Sequence, residues 1–232
     1  MPQLILLPGL AADATMWQDQ LMVLPSHWQV QVTDVHTRQP TIEAMAAALL
    51  AEHDGPLVLC GASMGGIVAM QAACQAPGRI KGLALLGTNA RSESPEMRAL
   101  REGAITQFAQ GRVREVIEPN VALAFHPTQA ARAELVQRYL AFVLRAGTAQ
   151  LIAQNRAIMA RPDARPHLPQ ISCPTLVMCG DADLLTPPDC SDEIAALIPA
   201  AQCVVVPQCG HMLTMEQPAF VNARLLQWLA GL

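Results

Sequence analysis

Short runs of four to seven apolar residues recur along the chain, and most are followed by a stretch with apolar residues three and four apart. The first period belongs to strands buried on both faces, the second to helices laid against them. Residues 3–7 (Q-L-I-L-L) read as a buried strand ended by Pro8-Gly9. Residues 14–24 carry helical spacing, with Asp13 placed to cap the first turn. Residues 28–33 alternate apolar and polar positions and read as a second strand. An alanine-rich helix follows over 41–52, opened by Thr41 after Pro40. Residues 57–60, 80–86, 175–179 and 203–206 read as four more strands. Residues 64–76, 191–197 and 218–229 read as helices. Between Arg91 and Leu168 the alternation stops. There, 98–118 and 128–160 have helical pattern, broken near Pro119, Pro127 and Gly147.

Strand and helix alternating on this scale predict an α/β protein: a sheet of six strands, all parallel, with helices on both faces. The helical stretch between the fourth and fifth strands reads as an insertion. Open sheets of this kind place their chemistry at the carboxyl ends of the strands. Five loops therefore matter: 8–13, 61–65, 87–90, 180–188 and 207–213.

The second of these loops organises the rest. Residues 56–71 read P-L-V-L-C-G-A-S-M-G-G-I-V-A-M-Q. A strand turning directly into a helix puts Ser63 at the apex, with Gly61, Gly65 and Gly66 around it because strand and helix approach closely there. The apex exposes the serine hydroxyl, and the new helix aims its first amides at the same spot, where they favour negative charge. That is a nucleophile beside half of an oxyanion hole. As a bare pattern, G-x-S-x-G also describes an ordinary turn, so its weight depends on the other loops.

The loop after the fifth strand, G-D-A-D-L-L-T-P-P, offers carboxylates, and the loop after the sixth, P-Q-C-G-H-M, offers His211. A serine hydroxyl needs a base to take its proton, and the imidazole needs a partner to fix its tautomer and balance its charge. Ser63, Asp183 and His211 supply these roles in the order serine, acid, histidine, each at a strand's carboxyl end. That order is the one found in α/β-hydrolases. Asp181, two residues earlier, competes with Asp183 for the acid's place.

On these residues the chain resembles the α/β-hydrolase fold superfamily, within its small cap-bearing esterases and lactonases, such as 3-oxoadipate enol-lactonase-like and carboxylesterase-like enzymes. The matching pieces are 7–17 (L-P-G-L-A-A-D-A-T-M-W), 61–66 (G-A-S-M-G-G), 174–183 (P-T-L-V-M-C-G-D-A-D) and Gly210-His211. The resemblance implies a core from 1–90 and 169–232, with a helical cap over 91–168. It implies that the family's N-terminal antiparallel hairpin is missing. By the resemblance, Ser63 is the nucleophile, Asp183 the acid, shortly before Thr186-Pro187, and His211 the base. The backbone amides of Leu10 and Met64 form the oxyanion hole. Pro8 stands where the family more often has histidine, which removes a side-chain hydrogen bond and leaves the backbone hole in place.

The implied function is a serine hydrolase cleaving a small carboxylic ester, lactone or thioester through an acyl-enzyme. A C–C bond hydrolase or lyase using the same triad, and a non-catalytic ligand receptor, are the other readings. Serine at the elbow speaks against the aspartate chemistry this fold also supports. No metal and no organic cofactor is implied.

Composition narrows the partners. The 232 residues carry a net charge of −4, 3% aromatic residues and a single lysine, Lys81, so a nucleic-acid partner is not expected. No apolar run is long enough to predict a membrane span. The first residues lack a basic leader, and the seven cysteines lack metal or disulfide spacing, so a cytoplasmic protein is expected. The charge is uneven, however: the stretch 91–168 holds eleven arginines and seven acidic residues, against four basic and twelve acidic residues elsewhere. One reading is an anionic substrate met by cap arginines, with Arg156 near the cap's return to the core as a candidate. The other is a solvated helix face. Phe108, Phe125 and Phe142 are candidates for the substrate lining, or else hold the cap together.

Overall fold

The computed structural model describes residues 2–199 and 201–232. Its centre is one sheet of six strands: β1 (Gln3–Leu7), β2 (Gln29–Val32), β3 (Leu57–Ala62), β4 (Ile80–Leu86), β5 (Thr175–Gly180) and β6 (Ala201–Val206). Their order across the sheet is β2-β1-β3-β4-β5-β6, and every pairing is parallel. The six helices of ten residues or more are α1 (Ile42–Glu52), α2 (Met64–Gln75), α3 (Pro95–Ala109), α4 (Ala133–Met159), α5 (Pro188–Leu197) and α6 (Pro218–Leu229).

Alternation along the strands splits the core in two. Ile5, Leu7, Leu57, Leu59, Leu83, Leu85 and Val177 face one side, against Met45 and Leu49 of α1, Val68 and Ala72 of α2 and Ile194 of α5. Leu4, Leu6, Val58, Cys60, Leu86 and Met178 face the other, against Leu225 and Trp228 of α6 and the helices inserted between β4 and β5. Successive side chains of a strand point to opposite faces, so one fully apolar run feeds both layers. The two edge strands are the exceptions: β2 alternates exposed glutamines with half-buried valines, and Val205 of β6 is half exposed.

The predicted strands are all present, and the helices differ in detail. The single helix expected over 14–24 is a 3₁₀ turn, Ala14–Trp17, followed by one α-turn, Gln18–Leu21. Asp13 does cap it, accepting from the Thr15 amide at 2.8 Å. The stretch stops early because the Val23 and Leu24 amides both fold back on the Gln20 carbonyl ahead of Pro25. In the insertion, the helix expected over 98–118 starts sooner, since Ser94 caps it and Pro95 takes the first position. It breaks at Gly111 (φ 79°) before a short helix, Val113–Ile117. Gly147, with φ 77° and ψ 167°, interrupts α4 where a break was expected. The short helices Val35–Arg38 and Leu213–Glu216 have no counterpart in the sequence reading. Among the described residues, no helix is long and apolar enough to cross a membrane.

Candidate active site

Strand β3 ends at Ala62 and α2 begins at Met64, so Ser63 alone makes the turn, at φ 52° and ψ −117°. A non-glycine residue there costs about 1–3 kcal/mol and needs its surroundings to hold it. The Ser63 amide donates to Leu86 O at 2.9 Å, and its carbonyl accepts from the Gly66 amide at 2.9 Å and the Thr88 hydroxyl at 2.7 Å. The tight turn also explains a glycine: a Cβ on Gly65 would lie 2.0 Å from the Leu7 carbonyl oxygen.

His211 comes to this apex from the loop after β6. Its Nε2 lies 2.9 Å from Ser63 Oγ, and its Nδ1 lies 2.8 Å from Asp183 Oδ2. With the carboxylate on the Nδ1 side, a neutral ring carries its proton there and accepts from the serine hydroxyl at Nε2. Asp183 has no exposed side-chain surface. Burial works to raise its carboxyl, but the His211 ring, the Thr186 amide and the Thr186 hydroxyl together hold it below the ordinary carboxylate value. The Leu185 amide adds a further donor at 2.9 Å.

Asp181 faces elsewhere. Its two oxygens accept from the Gln208 and Cys209 amides at 2.9 and 3.0 Å, where Gln208 has a left-handed φ of 51°. It braces the loop that carries His211 and does not touch the ring. Of the two carboxylates the sequence left in competition, Asp183 is the one beside the imidazole.

The loop after β1 closes over the serine. A Cβ on Gly9 would lie 3.3 Å from Ser63 Cβ, which puts the next residue, Leu10, at the apex. Among the described residues nothing accepts from the Leu10 amide. Met64 is the first residue of α2, so its amide has no acceptor within the helix. Both amides expected to face a developing oxyanion are therefore free to donate.

The insertion meets this site through backbone and aromatic contacts. The His211 amide donates to Ala124 O at 2.9 Å. Phe108, Phe125 and Phe142 are all buried in the cluster that includes Trp17 and Met212. Tyr139 packs edge-on between Phe125 and Phe142, with ring centroids 5.3 and 5.4 Å away, and burial pushes its hydroxyl up to about 12. Arg156 lies on the exposed face of α4, and among the described residues its side chain makes no hydrogen bond or ion pair, so the structure gives it no place at Ser63.

The other ten arginines of 91–168 are engaged. Arg138 pairs with Asp19 at 3.1 Å, Arg145 with Asp13, and Arg91 with Glu193 at 2.8 Å and Asp189 at 3.1 Å. Arg165 holds Asp163 and Glu193, while Arg161 and Arg101 converge on the buried Glu93. Arg98 donates to Met159 O, and Arg112, Arg114 and Arg132 bind side chains close to them in sequence, Gln107, Glu118 and Gln129. Four of these arginines, Arg91, Arg138, Arg145 and Arg165, thus meet acidic residues outside the insertion, and the other six are held within it.

Two buried polar side chains escaped the sequence reading. Glu216 accepts from the amides of Gly210 and Met212, on either side of His211, and from the His126 amide of the insertion at 2.8 Å. Burial raises its carboxyl despite those three donors. Gln154, on α4, accepts from the Ala11 amide at 2.7 Å and donates to His36 O at 2.9 Å. The only signal in the chain is a lone carboxylate after G-H-M-L-T-M and a glutamine on an otherwise apolar helix face.

Residues 2–218 match the family model described as alpha/beta hydrolase fold. Over its whole length the chain is 28% identical to the provisionally named carbamate hydrolase RutD of Escherichia coli O103:H2, covering 92% of that protein. Among solved structures, a thermophilic esterase from Thermogutta terrifontis, with malate bound, is 31% identical. It superposes with a TM-score of 0.90 over 100% of this chain and 90% of that one. The enol-lactonase of Burkholderia xenovorans LB400 is 26% identical, with a TM-score of 0.89 over 99% of this chain and 91% of its own. A parallel six-stranded sheet, a serine turned out between strand and helix, and a family match across nearly the whole chain place this protein in the alpha/beta hydrolase fold family.

Proposed function

We propose that this protein is a serine hydrolase acting on a small carboxylic ester, lactone or thioester through an acyl-enzyme. One observation carries the reading: the His211 ring spans Ser63 Oγ and Asp183 Oδ2 at hydrogen-bond distance on both nitrogens. In this reading His211 takes the Ser63 proton as Oγ attacks the acyl carbon. The Leu10 and Met64 amides receive the tetrahedral oxyanion, each worth about 3–4 kcal/mol to the transition state. The leaving alcohol or thiol departs with the proton from His211, and water repeats the cycle to release the acid. Asp183 holds the ring's tautomer and balances its charge when the ring is protonated. Residues 91–168 act as the cap over this site, with Phe108, Phe125 and Phe142 forming its apolar wall. The kinship with esterase and enol-lactonase structures supports an oxygen-ester or lactone carbonyl as the centre attacked.

The test is turnover of p-nitrophenyl acetate and butyrate by the native chain and by Ser63→Ala, with fluorophosphonate labelling read by mass spectrometry. Turnover and labelling are expected in the native chain and lost in Ser63→Ala. Turnover that survives the substitution, or a label on another residue, overturns the assignment. Tight binding of the esters with no turnover points instead to a receptor on this fold.

A further inference from the structure

The loop that presents the Leu10 amide is strained, and its restraint comes from the insertion. Gly9–Ala12 form a turn closed by the Ala12 amide donating to Gly9 O at 3.1 Å. Ala11 occupies its third position with φ 59°, a left-handed value that glycine or asparagine normally takes there. The Leu10–Ala11 peptide would relax if it rotated, taking Ala11 back to negative φ. That rotation would take the Ala11 N–H off its acceptor and let the Gly9–Ala12 loop, with the Leu10 amide it carries, shift relative to Ser63.

What opposes the rotation is a buried polar bracket. Gln154 Oε1 accepts from the Ala11 amide at 2.7 Å, and Gln154 Nε2 donates to His36 O at 2.9 Å. The His36 ring, through Nε2, donates in turn to Ala12 O at 2.9 Å. Gln154 is 1% exposed and His36 4%. Burial lowers the affinity of His36 for a second proton, which keeps the ring neutral and its single proton on the bonded nitrogen. Ala11 and Ala12 also border a cleft of about 350 Å³, lined further by Phe142 and Arg145, so the loop has room to move on that side. An amide side chain fits this bracket uniquely well, because it must accept from one backbone group and donate to another.

We infer that Gln154 is a positioning residue: through Ala11 it locks the turn that aims the Leu10 amide at the oxyanion, so that seating of the insertion completes the active site. This rests on the hydrolase reading above and adds a residue that no part of the catalytic sequence motifs contains.

The experiment compares kcat and KM on p-nitrophenyl butyrate, and inhibition by a trifluoromethyl ketone that forms a tetrahedral adduct on serine. The proteins are the native chain, Gln154→Met, Gln154→Glu, and Gln154→Met combined with Ala11→Gly. In Gln154→Met, kcat is expected to fall about 10- to 100-fold with KM changed less than about threefold, because the lost interaction forms only in the transition state. The ketone's inhibition constant rises in step with the loss in kcat/KM. Gln154→Glu, which keeps an oxygen on the Ala11 amide, retains more kcat than Gln154→Met. Ala11→Gly returns part of kcat to Gln154→Met, since glycine holds the left-handed φ without strain. Where Gln154→Met fails to fold, Gln154→Asn, one methylene too short to reach Ala11, replaces it. A folded variant with unchanged kcat and ketone affinity overturns this inference and leaves the hydrolase reading standing. So does a loss that tracks the melting temperature and is not recovered by Ala11→Gly. Absence of Ser63-dependent turnover in the native chain overturns both.

Discussion

Asp183 and Asp181 stand two residues apart on one loop and serve different masters: the first meets His211 Nδ1 at 2.8 Å, the second accepts the Gln208 and Cys209 amides. Their substitutions should therefore separate. Asp183→Asn keeps the packing but favours the wrong imidazole tautomer, and kcat should drop about 10⁴-fold with modest change in stability. Asp181→Asn keeps one acceptor oxygen but loses the other amide bond and the charge, and should cost about 1–3 kcal/mol of stability, with activity retained by the folded fraction. Ester turnover and denaturant unfolding on both variants check this. Equal catalytic losses would remove the distinction.

The same contact sets an acid sensitivity. The Asp183 carboxyl in the folded chain lies below its ordinary value of 3.8. As pH falls toward and past that value, the unfolded chain takes up the proton first. The stability Asp183 contributes is thus fully present above 3.8 and is lost as pH falls through the lower folded-state value. Denaturant midpoints measured from pH 7 downward should fall more steeply for the native chain than for Asp183→Asn. Parallel curves would contradict the shift.

Strand positions were legible because a fully apolar run of strand length between turn residues has few other uses, and β1 and β4 fall on the expected residues. The placement of the serine, the histidine and the acid loop was legible for a related reason, since an open parallel sheet gathers the residues after its strands at one edge. The choice between Asp181 and Asp183 was not open to spacing alone. It depends on which way two neighbouring carboxylates turn once β5 and β6 are paired. Gln154 and Glu216 were invisible because their partners, Ala11 and His126, lie 143 and 90 residues away. The helix expected over 14–24 shrank because its apolar residues Leu21, Met22 and Val23 remain substantially exposed, so no packing face rewarded its extension.

The arginines of the insertion divide by burial. Arg161 and Glu93 are 5% and 3% exposed in their side chains, so Arg161→Met leaves a buried carboxylate with one cation fewer and should cost about 3 kcal/mol. Arg145 and Asp13 are a half-exposed pair, and Arg145→Met should cost under about 1 kcal/mol. Arg156→Ala, on the open face of α4, should alter kcat/KM by less than about twofold, for neutral and for carboxylate-bearing esters alike. A selective loss on the carboxylate-bearing ester would bring Arg156 back as an anion contact.

Glu216 joins the histidine loop to the insertion by accepting three backbone amides from Gly210, Met212 and His126. Replacing it by leucine fills the space but leaves those amides buried without an acceptor, each costing about 1–3 kcal/mol. Glu216→Leu should therefore lose about 3 kcal/mol or more, a large share of a margin that is typically about 5–15 kcal/mol. Glu216→Gln keeps one acceptor oxygen and removes the charge whose burial raises the carboxyl, so its loss should be the smaller of the two. The pH dependence has the opposite sign to that of Asp183. A carboxyl raised on folding contributes most below its ordinary value of 4.5, and that part is lost as pH rises through the folded value. Relative to Glu216→Gln, the native chain should gain stability on mild acidification toward pH 4.5. Unfolding curves of both proteins between pH 7 and pH 4.5 measure this directly, and a native chain that loses ground to Glu216→Gln over that range would show that the three amides outweigh burial.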